Sequence, residues 1–401
     1  MRSLSVVGGI YRERCLQPTW DAVLGSAGRA AQALATAKAA SRKRLHAYMG
    51  ERAQSEVELL AELADFELVP TDLPFLVSFD YAHTLGDPVI SPPIGLMGHR
   101  PLLSVADEVV LRYGMLEGDA VVAADVAVYD PQSAFGAAAF TANGSSAKRL
   151  AVVLNRLEMR SITGEEDPRA GADWLFRNDG AEVVVLKMGA LGARVITPDA
   201  VRDIPLYRSD RVWKLGSGDV FSATFAATWA LEGMAPEDAA DVASRATAWY
   251  CGHRALPTPD AATLAATPFE QVRPGTGRIY LAAPFFDLGQ RWLVEEGRRA
   301  LLQAGARVFS PIHEVGPGPA EVVAPADLAG IEGCDVLLAI LNGMDPGTVF
   351  EAGYAIRKGI PVVALAENAR EEDLKMFVGS GATVTNDFAT AIYQAVWRLP
   401  R

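Results

Sequence analysis

Leu215-Gly216-Ser217-Gly218-Asp219-Val220-Phe221 is the stretch whose reading decides the larger part of the chain. Three small residues stand at the entry to a helix, so their backbone N–H groups can converge on an anion. Asp219, at the helix start, is placed to accept a proton from a hydroxyl attacking a phosphoryl group. The same residues also describe a Gly-rich loop with an Asp helix cap, which needs no chemistry. Downstream, Phe221, Phe225 and Trp229 recur every four residues, predicting an amphipathic helix over 219–232 stopped by Gly233. Upstream, apolar runs at 4–7, 75–79, 120–128, 151–154 and 182–186 read as strands, and the Ala-rich run 27–40 as a helix. Strands alternating with helices predict a mostly parallel sheet covered by helices.

A second decisive stretch is Asp345-Pro346-Gly347-Thr348-Val349-Phe350-Glu351-Ala352-Gly353-Tyr354-Ala355. Asp-Pro-Gly-Thr is a strong turn signature that follows a strand and opens a helix. The spacing predicts Glu351 in the first helical turn, where the helix dipole would keep it ionised. An ionised, positioned carboxylate can attack an anomeric carbon and form a covalent sugar ester; it can also merely complement the dipole. Asp327 and Asp345 follow the same edge, and Tyr280 on the preceding first strand could reach a carboxylate there. Strands are predicted at 279–283, 306–310, 335–341 and 361–366, with helices at 290–304, 326–330, 349–358 and 387–399 between and after them. Four strands with crossovers imply a small doubly wound fold, whose ligands sit beyond the C-terminal strand edge.

The turn-rich stretch 257–277, with Arg273-Pro274-Gly275-Thr276-Gly277, separates the two patterns. At about 150 residues per domain, 401 residues suit two or three domains. Hydrophobic residues make up 50% and charged residues 21%, enough to bury a core and to exclude a largely disordered chain. The net charge of −12 divides into −8 before Arg278 and −4 from it onward, so neither part offers a phosphate-tracking surface and nucleic acid is not an expected partner. Cys15, Cys251 and Cys334 are too scattered for a disulfide framework or a CxxC zinc site. The histidines, at 46, 83, 99, 253 and 313, show no zinc spacing. No apolar run is long enough for a signal peptide or a membrane span, so a soluble cytoplasmic protein is expected.

Gly216-Ser217-Gly218-Asp219 resembles the anion hole and catalytic base of the ribokinase (PfkB) family of sugar and nucleoside kinases. Asn155-Arg156-Leu157-Glu158, followed by Ile162-Thr163-Gly164, resembles that family's Asn-x-x-Glu motif. Val183 to Gly192 is similar to its strand and Gly-x-x-Gly turn beside the nucleotide, which brings in Gly189, and 125–130 to the strand ending in Asp-Pro. The resemblance implies ATP and Mg2+ as cofactors. It makes Asp219 the base and Gly216, Ser217, Gly218 and Gly189 phosphate or nucleotide contacts. Asn155 and Glu158 would organise magnesium indirectly. The chain departs from the family where Trp213-Lys214-Leu215 replaces an Asp-Thr pair, and where Gly25-Ser26-Ala27-Gly28-Arg29-Ala30 replaces a Gly-Gly run with Asn.

Residues 278–401 resemble the nucleoside 2-deoxyribosyltransferase family through Ile279 to Phe286, Asp327 to Asp335 and Asp345 to Ala355. The resemblance implies Glu351 as nucleophile, Tyr280 as its orienting partner, Asp327 against the leaving base and Asp345 on the deoxyribose. Phe285 and Phe286 would face the nucleobase, and no cofactor is implied. A related branch hydrolyses nucleotide N-glycosides, but needs polar groups where Pro284-Phe285-Phe286 stands.

The expectation is thus an α/β protein with a ribokinase-like α/β domain over 1–265, a linker over 266–277, and a smaller doubly wound, flavodoxin-like or Rossmann-like deoxyribosyltransferase domain over 278–401. It would serve nucleoside salvage, one domain transferring 2-deoxyribose between nucleobases and the other phosphorylating a nucleoside or sugar. The alternative is an N-glycoside hydrolase gated by a nucleotide-sensing, non-catalytic kinase-like domain. Nucleosides, deoxynucleosides and nucleobases are the expected partners. A homo-oligomer is expected through the closing helix, with Phe388, Ile392, Val396 and Leu399 at helical spacing.

Overall fold

A parallel strand covered on both faces needs an unbroken apolar run, and the N-terminal sheet is assembled around several of them. The computed structural model describes residues 2–98, 100–133 and 136–400, so His99 lies outside the described residues. Nine strands pair in the order Val201–Ile204, Ala193–Ile196, Val183–Lys187, Ser146–Asn155, Ala120–Asp130, Leu103–Tyr113, Arg2–Val7, Ala40–Gly50, Glu67–Leu73. All neighbours from Val183–Lys187 to Glu67–Leu73 run parallel; the first two pairings are antiparallel. Val6, between Leu45 and Leu111 in register, is fully buried, as a strand in mid-sheet requires.

The Ala-rich helix stops at Ala33, not at residue 40, and Ala40–Gly50 is a strand. Pairing with Arg2–Val7 and Glu67–Leu73 outweighs the helix propensity of a few alanines. The strand expected at 75–79 instead begins at Ser78, within Ser78–His83, and joins a second, four-stranded sheet in the order Trp20–Val23, Arg12–Gln17, Ser78–His83, Val89–Ser91. Arg12–Gln17 carries charge on both faces, so no apolar alternation advertises it, yet Glu13 and Cys15 point inward. Ser217–Phe225 forms the helix after the glycine loop and continues as a π-helical turn over Ala226–Leu231, with Phe221, Phe225 and Trp229 buried.

The chain divides into two compact units, one of the residues up to Ser209 with Trp213–Gln271, the other of Asp210–Val212 with the residues from Val272 on. The division falls inside the stretch 266–277. Asp210–Val212 belongs to the second unit, where the Val212 N–H donates to Thr390 Oγ1 at 2.9 Å. That unit is built on a five-stranded parallel sheet in the order Arg307–Phe309, Arg278–Ala282, Val336–Ile340, Val362–Leu365, Thr383–Thr385. The sequence suggested four strands; Thr383–Thr385 is a three-residue, half-buried edge without apolar periodicity. The strand order places the topological switch between Arg278–Ala282 and Val336–Ile340, where ligands of such sheets bind.

The closing helix, Phe388–Val396, is buried throughout, and Phe388, Ile392, Val396 and Leu399 are each at most 5% exposed. It packs on Val362–Leu365, Val336–Ile340 and helix Leu288–Gln303. The helix therefore cannot be the assembly face expected from the sequence, because its apolar stripe is consumed within its own unit. No helix among the described residues is long and apolar enough to cross a membrane.

Candidate active sites

The N-terminal unit holds a cavity of about 410 Å³. Its lining includes Asp219, Gly216, Gly218, Gly189, Asn155 and Glu158 from the sequence reading, joined by Glu13, Gln132, Lys187 and Lys214, which that reading had not assigned. The fold thus gathers strand ends and the start of helix Ser217–Phe225 around one volume. Ser217, expected among the phosphate contacts, is buried and not part of that lining; its hydroxyl accepts from Lys214 Nζ at 2.8 Å.

Asp219 is not free. Its Oδ2 pairs with Arg29 Nη1 at 2.7 Å, its Oδ1 accepts from Gln132 Nε2 at 2.6 Å, and its backbone carbonyl accepts from the Tyr113 hydroxyl at 2.8 Å. Arg29 is fully buried and also grips Glu13 with both terminal nitrogens, while its Nε donates to the Tyr250 hydroxyl at 3.2 Å. Burial pushes the Glu13 carboxyl above the usual range, against the pull of Arg29. One buried arginine between two carboxylates leaves a single negative charge in excess, and loss of the arginine would leave both carboxylates without their shared cation.

Gly216 is the reason the loop can close over that arginine. Its φ is +71°, and a Cβ there would lie 1.9 Å from Arg29 Nε. Gly216→Ala is therefore expected to lower stability by more than the roughly 1–2 kcal/mol of a left-handed non-glycine residue alone. A denaturant midpoint within error of wild type would refute this.

Lys187 Nζ pairs with Asp130 Oδ2 at 2.6 Å, and Ser222 Oγ donates to the same oxygen at 2.6 Å. Burial would lower the Lys187 pKa, but the charges of Asp130, Glu158 and Asp219 and the Asp130 hydrogen bond together outweigh it and raise the pKa. Asp130 Oδ1 is buried without a hydrogen-bond partner. Lys214, standing where the resembled family has Asp-Thr, has its pKa lowered by burial. Asn155 and Glu158 form a capping box at helix Arg156–Thr163, each side chain accepting from the other's backbone N–H, at 2.9 and 2.7 Å. That explains both residues locally and occupies one acceptor on each.

In the C-terminal unit the Tyr280 hydroxyl donates to Glu351 Oε1 at 2.6 Å, so residues from the first strand and the helix after Val336–Ile340 meet at the switch point. Glu351 is the sixth residue of helix Pro346–Arg357, in its second turn. The dipole falls off within the first turn, and the expectation that it keeps Glu351 ionised fails. Burial pushes its carboxyl up to about 7, Asp327 and Asp345 add to the rise, and only the Tyr280 hydrogen bond opposes it. Burial likewise raises Asp327, whose Oδ1 is buried without a partner. Asp345 caps the helix, its Oδ2 accepting from the Thr348 N–H at 2.8 Å and hydroxyl at 3.0 Å. Phe285 and Phe286 stack on each other at 5.5 Å in a loop that leaves Phe286 70% exposed. Arg291 donates from Nε to the Phe285 carbonyl at 2.9 Å and so ties down this loop. His313 is engaged by Ser310 Oγ at 2.9 Å and Glu295 Oε1 at 2.8 Å. Among the described residues no group of three or more His, Cys, Asp and Glu side chains could hold a metal ion.

Comparison with known proteins divides along the same line. An ATP-dependent ribose-1-phosphate kinase of Halopiger xanaduensis is 33% identical over 109 residues, 27% of this chain and 35% of the relative. The chain spans about a third of the length of that curated relative. Among solved structures, ribokinase from Thermotoga maritima is similar at 17% identity with a TM-score of 0.44, over 66% of this chain and 99% of that one. A Methanocaldococcus jannaschii nucleoside kinase of the ribokinase family is similar at 13% identity with a TM-score of 0.46, over 66% and 97%. Residues 128–261 match the family model of pfkB family carbohydrate kinases, and residues 279–387 match that of nucleoside 2-deoxyribosyltransferases. The chain thus carries a stretch that matches the pfkB carbohydrate-kinase model in its N-terminal unit and one that matches the nucleoside 2-deoxyribosyltransferase model in its C-terminal unit.

Proposed function

We propose that the C-terminal unit exchanges the base of a 2′-deoxynucleoside through a covalent Glu351–sugar ester, and that the N-terminal unit phosphorylates a nucleoside or sugar with ATP. The observation that carries the first reading is the 2.6 Å hydrogen bond from Tyr280 to Glu351, on a carboxylate otherwise short of stabilising partners. Glu351 attacks the anomeric carbon as the base leaves. Asp327, raised by burial, supplies the proton to that base, and the incoming base then displaces Glu351. Asp345 holds the sugar with the oxygen not used in capping. The apolar loop at Phe285 and Phe286 supports transfer over nucleotide hydrolysis.

In the N-terminal unit, Lys187, Lys214 and the N–H groups of Gly216 and Gly218 suit an ATP phosphate chain. Mg2+ would be held indirectly by Asn155 and Glu158, which line the cavity and whose capping box occupies Asn155 and half of Glu158. When bound, the ion neutralises charge on the transferred phosphoryl group. Asp219 accepts the acceptor's hydroxyl proton once Gln132 yields its hydrogen bond. Because both Asp219 oxygens are engaged, the second reading, a nucleotide sensor without turnover, is tested directly by ADP formation against a panel of sugars and nucleosides. A homo-oligomer remains part of the proposal, with an interface other than the closing helix, and light scattering on the full chain tests it.

The ionisation of Glu351 gives a pH test. The nucleophile is the carboxylate, so exchange should fall as pH drops through about 7. Tyr280→Phe removes the bond that favours the charged form, so its acid limb should move to higher pH. A limb at pH 4–5 in kcat/KM, unmoved in Tyr280→Phe, would contradict the assignment. Stability follows the same sign. The folded pKa lies above the ordinary 4.5, so wild type loses stability as pH rises from about 4.5 to about 7. Glu351→Gln should therefore gain over wild type at pH 8 and match it near pH 4 in thermal melts.

A further inference from the structure

Ser26 Oγ is a buried hydroxyl without a hydrogen-bond partner, on a residue that lines the N-terminal cavity and is 4% exposed. Burying an unpaired hydroxyl is unfavourable, and a ligand hydroxyl would recover the loss. On the same cavity stand the carboxylates of Glu13 and Asp219. Their shared cation, Arg29, is fully buried and engaged by both, so it cannot also serve a ligand. The two lysines of the cavity are already engaged, Lys187 with Asp130 and Lys214 with Ser217 at the glycine loop. A phosphate on the acceptor, set against Glu13 and Asp219, would meet two negative charges that share one arginine. A neutral polyol would meet hydrogen-bond acceptors and the free hydroxyl.

The same cavity has an aromatic side. Phe79 and Tyr81, two apart on strand Ser78–His83 and so on one face, stack at 6.4 Å with 15° between their planes. The Tyr11 ring stands 4.9 Å from Phe79, and all three rings line the cavity. Two near-parallel rings side by side offer a shelf as broad as a planar heterocycle, which a bare sugar would not cover.

We infer that the phosphoryl acceptor of this cavity is a neutral nucleoside, its sugar hydroxyls on Ser26 and Glu13 and its base on the Phe79–Tyr81 shelf, and not a phosphorylated sugar. The inference rests on the kinase reading of the cavity and names its acceptor. A nucleoside hydroxyl oxygen forms the new bond to the γ-phosphorus of ATP, the bond from that phosphorus to the bridging oxygen breaks, ADP leaves, and the hydroxyl proton passes to Asp219.

The test is calorimetric binding to the full chain, with a non-hydrolysable ATP analogue and Mg2+ present, of adenosine, guanosine, cytidine, uridine, ribose 1-phosphate and ribose 5-phosphate, alongside ADP formation with each. At least one nucleoside should bind more tightly than both sugar phosphates. Its Kd should weaken about three- to tenfold in Ser26→Ala and roughly tenfold in Phe79→Ala, and recover in Phe79→Tyr. Both changed residues lie in the N-terminal unit, so nucleoside held by the other unit does not respond to them. Unchanged thermal melts in Ser26→Ala keep a folding defect apart from lost contact. Tighter binding of either sugar phosphate, or nucleoside binding indifferent to both substitutions, overturns the inference. ADP formation with a sugar phosphate alone overturns it while the kinase reading stands. Nucleoside binding that responds to Ser26 and Phe79 without ADP formation supports the ligand class while the kinase reading falls.

Discussion

Glu351→Ala is expected to abolish base exchange and any hydrolysis of a deoxynucleoside, by at least about a thousandfold, because the covalent intermediate is removed and not merely slowed. The geometry makes this the cleanest test of the C-terminal unit. Tyr280 is fully buried with its hydroxyl on Glu351, so the alanine also leaves a donor without its acceptor. Glu351→Gln separates the two losses: its amide oxygen still accepts from Tyr280, yet it cannot attack the anomeric carbon. Both variants should be inactive, with Glu351→Gln melting at or above wild type at pH 8. Chromatographic detection of base exchange near the wild-type rate in either one would remove Glu351 as nucleophile.

Asp219→Asn is expected to lower phosphoryl transfer by about a hundredfold to ten-thousandfold, the range for losing a positioned general base. The surroundings add a second effect. The neutral amide would leave Arg29, without exposure to water, paired with Glu13 alone, so the expected cost is that of one charge-assisted hydrogen bond, about 1.5–3 kcal/mol. A drop in melting temperature should thus accompany the lost turnover. Activity has to be compared at temperatures where both proteins are folded, and base exchange in the same chain serves as the internal control. Retained ADP formation would show that Asp219 is a structural partner of Arg29 and not the base. Loss of ATP binding, with folding intact, would place it in the phosphate site instead.

Much of both sites was legible locally. Gly216 through Asp219 read as a small-residue helix entry, and the helix begins at Ser217 with Gly216 in the left-handed region. Asp345-Pro346-Gly347-Thr348 read as a turn into a helix, and Asp345 is its cap. Phe221, Phe225 and Trp229 read as a buried face, and they are buried. Misplacing Glu351 by one helical turn came from starting that helix at Val349 and not at Pro346, the first position proline favours. That small shift reversed the electrostatic conclusion, from a carboxylate held by a dipole to one raised by burial.

What the residues determined unaided is what chemistry within a few positions decides: caps, glycine turns, apolar periodicity, and from their alternation the two α/β units and their family resemblances. Tertiary structure alone decided which charges meet. Arg29 and Asp219 are 190 residues apart, and nothing near either announces the other; Arg29 sits in a helix of alanines, where an arginine reads as solvent-facing. Tyr280 finds Glu351 across 71 residues because neighbouring strands of a parallel sheet end at the same edge. The apolar stripe of Phe388–Val396 could have faced a partner or its own sheet with the same sequence, and only the packed sheet shows that it faces inward. Burial is a property of the whole fold, so the raised Glu351 carboxyl, the orphaned Ser26 hydroxyl and the clamp on Asp219 had no counterpart in sequence spacing.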